Sequence, residues 1–184
     1  MRSLHSANHI EGIPMNLRDH LLTLYDYTYW ANHRYFAVAQ VLTDEQLRRM
    51  QGHSWGDVHA MFVHMMSSEW VWLQRWHGIS PRGHLNKDDF PTLAAIQKRA
   101  GELEAEMRAF ITSQTDESLQ AVITYTNFRD ETFRVPLWQM LMHVANHETH
   151  HRGELAAMYA LMDVPHPEDE LIQYFLNSSG QKKF

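Results

Sequence analysis

Four of the chain's 14 histidines fall within nine residues of one stretch, 136–162, at spacings that suit metal ligands. On a helix each residue turns the chain by about 100°, so His143, His147 and His151, at i, i+4 and i+8, share one face. His147 and His151 also bracket Glu148 in a literal H-E-x-x-H, in which two histidines one turn apart hold zinc and the glutamate acts as general base. A helical wheel puts Leu137, Leu141, Val144, Leu155, Met158 and Met162 on the apolar stripe, with His151 near its centre and His147 at its edge. Both rings therefore point inward. Either they are core histidines satisfied by hydrogen bonds, or they are two ligands that need a third from elsewhere.

His64 is the best candidate for that third ligand, because it borders the apolar stripe of another helix beside Met61 and Ser68. Three neutral histidines leave positions of an ion open, as catalytic sites do, and an ion so held activates a water or a thiol near neutral pH. Zinc suits nitrogen donors, but the ligand set alone does not separate it from nickel, cobalt, iron or manganese. The protease reading needs a downstream ligand. Glu170 lies at a possible distance, but Pro165 and Pro167 intervene and Gly153 is out of step with the longer zinc-protease pattern.

Two carboxylates fall within apolar stripes, where an unpaired charge is costly. Glu69 is positioned either to act as a base, to orient a ligand ring, or to pair with Arg152; Glu148 needs a partner of its own. His143 and His150 lie on the flank of their helix, at the mouth of the site or in solvent. His53, His59, His77 and His84 fall near caps or loops and read as solvent-exposed. Gly153, inside a helix, predicts close packing of another helix there.

The elements that must position these residues follow from periodicity. Leu17, Leu21, Leu24, Thr28, Ala31, Tyr35, Val38 and Leu42 recur at 3.6 spacing and predict a first long helix over about 16–41. A capping box at Thr43 and Gln46 opens a short turn over 44–50. Ser54 with Asp57 signals a second long helix over about 54–77, ended by Gly78, and a third runs over about 92–113. Between Ser118 and Val135 the period changes to two, which predicts a β-hairpin around 127–130; Pro136 then opens the histidine helix, and 171–176 reads as a short closing helix. Long amphipathic helices with short connections give an all-α four-helix bundle, whose metal sites lie between facing helices. The hairpin is an insertion between the third and fourth long helices. Residues 1–14 read as a flexible extension, and 15–178 as one domain.

With no cysteines, any metal must take nitrogen or oxygen ligands, and disulfides and iron–sulfur clusters are excluded. The formal charge of −6, with no basic face, argues against nucleic acid as a partner. No stretch approaches 18 uninterrupted apolar residues and the N-terminal stretch lacks an apolar signal region, so a cytoplasmic location with no membrane partner is expected. Trp30 and Trp70 point away from the stripes of their helices and suggest a homodimer interface.

Two stretches carry a family resemblance: NHETHHRGEL at 146–155 and LLTLYDYTYWANHRY at 21–35. Together with the position of His64 they resemble the DinB family of metal-binding helical proteins over about 15–178. The resemblance implies an up-down-down-up four-helix bundle with His64, His147 and His151 as metal ligands, zinc or nickel as the usual ion, and frequent dimers. It further implies either a metal-dependent enzyme acting on a small molecule, of thiol-dependent transferase or hydrolase type with a low-molecular-weight thiol as co-substrate, or a non-catalytic metal-binding stress-response protein. The segment 1–14 and the pair His143 and His150 depart from the family pattern, and none of them is needed for the site.

Overall fold

The computed structural model describes residues 15–52 and 54–180; the expected extension over 1–14, and His53, lie outside the described residues. Within them the chain forms α1 (Leu17–Ala39), α2 (Asp44–Leu47), α3 (Val58–Trp76), a 3-10 turn at Lys87–Asp89, α4 (Leu93–Thr112) and α5 (Asp116–Gln120). The strands β1 (Val122–Thr126) and β2 (Thr132–Pro136) then lead into α6 (Leu137–Ala160) and α7 (Leu171–Ser178). The protein is thus mostly helical with one small antiparallel sheet, in which Val122 pairs with Pro136 and Thr126 with Thr132.

Caps set the boundaries. Asn16 accepts from the Asp19 amide at 2.9 Å to start α1, and Thr43 and Gln46 form the expected capping box of α2. The second long helix starts later than Ser54, because Gly56 has φ +85°, a turn conformation that helix geometry excludes, and Asp57 caps α3 by accepting from the Ala60 amide at 2.7 Å. Ser54 is turned instead toward α6. The turn of helix α5 was not anticipated; Thr115 and Ser118 form a capping box in which serine replaces the usual Glu or Gln. Asp130, at φ 60°, closes the hairpin turn, where the Asn127 side chain accepts from the amides of Arg129 and Glu131.

The main helix contacts place α6 on α1 and α3, and α4 on the same two. Their shared interior is aromatic and methionine-rich. Phe36 of α1 stacks on Phe62 of α3 with ring centres 4.2 Å apart, Tyr35 stacks on Tyr159 of α6, and Met61, Leu103, Met107, Leu155 and Met158 are fully buried. α4 supplies only scaffold to this interior, through Ile96, Leu103, Met107 and Ile111. No described helix is long and apolar enough to cross a membrane.

Gly153 does not mark a close helix contact. It is exposed, and a Cβ built on it meets nothing within 4 Å. Gly153→Ala is therefore expected to stabilise the protein by up to about 1 kcal/mol through helix propensity alone, read as a higher denaturant midpoint. Trp30 and Trp70 are half-buried within the chain itself: Trp30 packs against Tyr27, Tyr174 of α7 and the Arg34 guanidinium, and Trp70 against the core.

Candidate metal centre

The spacing of His147 and His151 places both rings on the face of α6 that meets α3, and His64 meets them from α3. The three Nε2 atoms form a nearly equilateral triangle: 3.2 Å from His64 to His147, 3.1 Å from His64 to His151, and 3.0 Å between the last two. Hydrogen bonding cannot satisfy such a triangle, because each Nε2 is either a donor or an acceptor, and among three atoms at least two share a role. A single cation accepts all three lone pairs. Tetrahedral nitrogen ligands about 2.0–2.1 Å from zinc stand roughly 3.3–3.4 Å apart, close to the separations here. The group His64, His147 and His151 can therefore hold a divalent ion.

The other ring nitrogens show how the lone pairs are aimed. His151 Nδ1 lies 2.6 Å from Glu154 Oε2, and a ring that donates there presents an unprotonated Nε2 to the triangle. Glu154 in turn accepts from the Ser54 hydroxyl at 2.9 and 3.1 Å. Burial pushes the Glu154 carboxyl up, but the hydrogen bonds from His151 and Ser54 outweigh it and hold the group below its ordinary value. His147 Nδ1 is buried without a hydrogen bond, 3.7 Å from Glu148 Oε1. Burial, with smaller contributions from His147, His151 and His84, lowers the His64 pKa to about 2, so this ring is neutral and ready to ligate.

Two aromatic groups close over His64. The Trp55 ring stacks on it at 3.8 Å and 14°, and His84 meets both rings edge-on, held by Ser67 Oγ 3.1 Å from its Nδ1. His84 is exposed, as expected, yet its ring stands at the rim of the site; His59, by contrast, is buried, its Nε2 2.9 Å from the Phe90 carbonyl. His143 stays exposed with its ring against Trp72. His150 is exposed too, yet it forms a second possible ligand group with His151 and Glu154, two residues already engaged in the arrangement above.

Neither buried carboxylate lines the open side. Glu148 Oε2 accepts from Asn32 Nδ2 at 2.9 Å, and Asn32 Oδ1 accepts from Arg152 Nη1 at 2.9 Å, so α1 bridges the acid and the base of α6. Glu69 makes no ion pair with Arg152 and no contact with the triad. It is buried beside Glu148, with the Tyr29 hydroxyl near it but no well-formed hydrogen bond between them. Burial, and then the Glu148 charge, pushes the Glu69 carboxyl well above its ordinary value, which favours its protonated form.

On the open side His64 and His147 form part of the wall of a cavity of about 290 Å³ that also includes Ser68, Trp72, Arg75 and His143. A second, more apolar cavity of about 260 Å³ meets the other side of His64, between Trp55, Val63 and Leu85. Such a site on such a fold defines a class: helical proteins with a three-histidine group that could hold a metal ion. The chain belongs to the DinB family, whose family model matches residues 15–176. No curated protein matches the chain.

Proposed function

We propose that the chain is an up-down-down-up four-helix bundle in which His64, His147 and His151 hold one divalent ion, zinc or nickel, for a thiol-dependent transferase or hydrolase reaction on a small molecule. The observation that carries this reading is the Nε2 triangle, which no hydrogen-bonding pattern satisfies and which borders a cavity. Bound there, a divalent ion lowers the pKa of a coordinated water or substrate thiol toward neutrality. Glu154 holds His151 in the ligating tautomer, Trp55 shields the His64 ring, and the cavities on either side of His64 give room for two reactants. A homodimer belongs to the same reading and is checked by sedimentation equilibrium. The protease alternative is disfavoured by Glu148, which is 1% exposed, bonded to Asn32 and absent from the cavity wall.

The test begins with metal analysis of the purified protein. One ion per chain is expected, and His147→Ala should abolish it together with consumption of a thiol and an electrophile. Glu154→Gln should keep the ligands but lower metal affinity about 10–100-fold, since it removes the carboxylate that orients His151. Retention of the ion after replacement of each of the three histidines in turn would sink the assignment. Loss of the ion with no turnover in a broad thiol and hydrolysis screen would favour a non-catalytic metal-binding protein.

A further inference from the structure

Among the described residues Arg75 is a buried charge without an ion pair. It is 6% exposed, near the end of α3, and its guanidinium lies over the rings of Trp72, Tyr125 and Phe128 at 4.6, 4.8 and 5.3 Å. These contacts use the faces of the rings and leave the N–H edge of the guanidinium unused. Its Nε is buried with no hydrogen-bond partner, and among the described residues no carboxylate pairs with it. Arginine offers five donors in a fixed fork, so a largely buried arginine with no protein acceptor is suited to an acceptor supplied by a ligand.

That acceptor has a place. Arg75 lines the 290 Å³ cavity whose wall includes His64 and His147, and the lining contains Arg75, Arg129 and four histidines but no carboxylate among the described residues. The geometry points to a carboxylate subsite: a small molecule whose carboxylate is held bidentately by Arg75 and whose body lies along Trp72 and Phe128 toward the histidine triad. A planar carboxylate matches one guanidinium fork. Arg129, the other cation of the lining, is exposed on the hairpin turn, so the second charge of a phosphate dianion would face no buried cation among the lining residues. The cavity volume suits a small molecule and excludes a macromolecular segment. The hairpin carrying Tyr125 and Phe128 therefore builds the wall against which Arg75 packs.

This subsite rests on the proposed function by naming its substrate class, and the test separates the two. The full chain is titrated calorimetrically, zinc-loaded and again metal-free, with benzoate as the carboxylate probe, benzamide as its uncharged counterpart and inorganic phosphate as the rival anion. Benzoate is expected to bind both forms, at least tenfold tighter than benzamide or phosphate. Arg75→Met should lower benzoate affinity at least tenfold in both forms while zinc stoichiometry stays unchanged. Arg75→Lys, which keeps the charge without the fork, should lower it several-fold and guards against a Met variant that does not fold. Benzoate affinity indifferent to both replacements, benzoate binding that requires zinc and ignores Arg75, or phosphate bound more tightly than benzoate would each overturn the subsite. If no ion is taken up but Arg75-dependent benzoate binding persists, the metal reading falls and the subsite stands.

Discussion

Arg152→Met is expected to destabilise the protein by about 3–5 kcal/mol, because it removes one partner from a buried charged network and leaves the others unpaired. Arg152 is fully buried. Its Nε donates to Asp169 at 3.1 Å, Nη1 to Asn32 at 2.9 Å, and Nη2 to Tyr27 at 3.2 Å and Thr149 at 2.9 Å. These bonds tie α6 to α1 and to the connection that precedes α7, where the Tyr27 hydroxyl also donates to the Asp169 carbonyl at 2.8 Å. Without the guanidinium, the Asn32 amide is held only through Glu148, and Asp169 loses its ion pair. Arg152→Lys should recover little, since one ammonium cannot reach acceptors placed around a planar fork. The measurements are the denaturant midpoint and hydrogen exchange, which should show faster opening of 163–178. A loss below about 1 kcal/mol would mean that the network is not what joins these elements.

The contrast between Arg152 and Arg75 also shows what sequence can and cannot reveal. Local periodicity was enough to find His147 and His151, because both lie on one helix and the spacing itself places them on one face. His64 was legible from the edge of its own stripe together with the family resemblance. Glu154 follows His151 by three residues on the same helix, so its partnership was available to an i, i+3 reading; the mid-helix glycine drew attention to packing instead. Asn32, Ser54, Trp55 and His84 were out of reach. For the first two the partners lie far along the chain: Asn32 and Glu148 are 116 positions apart and Ser54 and Glu154 are 100 apart, while Trp55 and His84 reach His64 from loops that carry no periodicity. Ser54 was misread as a cap for the same reason, since a serine before a helix carries an identical local signal whether it caps that helix or binds another. Glu69 and Glu148 were correctly placed inside, but burial alone does not say which buried carboxylate faces a ligand.

The metal-free protein is expected to lose stability as pH falls below about 6.5, through the histidines that folding holds neutral. The unfolded chain takes up protons on its histidines near pH 6.5, whereas burial, then His147, His151 and His84, lowers the folded His64 pKa to about 2. More protons are bound unfolded, so acid favours unfolding: from His64 alone about 1.4 kcal/mol by pH 5.5 and about 2.7 kcal/mol by pH 4.5. His151, lowered by burial against the opposing pull of Glu154, acts in the same direction. Glu69 acts oppositely. Its folded pKa is raised by burial and by Glu148, so the folded state binds its proton first and gains stability as pH falls through that raised value. A single denaturation curve mixes these effects, but His64→Gln separates them. The variant keeps Glu69 and the packing of α3, so the difference between its pH profile and that of the metal-free wild type isolates the His64 contribution. That difference should be flat above pH 7 and grow by about 1.4 kcal/mol per unit below 6.5. With zinc bound the wild type should be more stable at pH 7 and fall more steeply, because protons then compete with the ion for the same three nitrogens. Parallel profiles for variant and wild type between pH 7 and 5 would show that His64 is not held neutral, and with that the preorganised triad would fail.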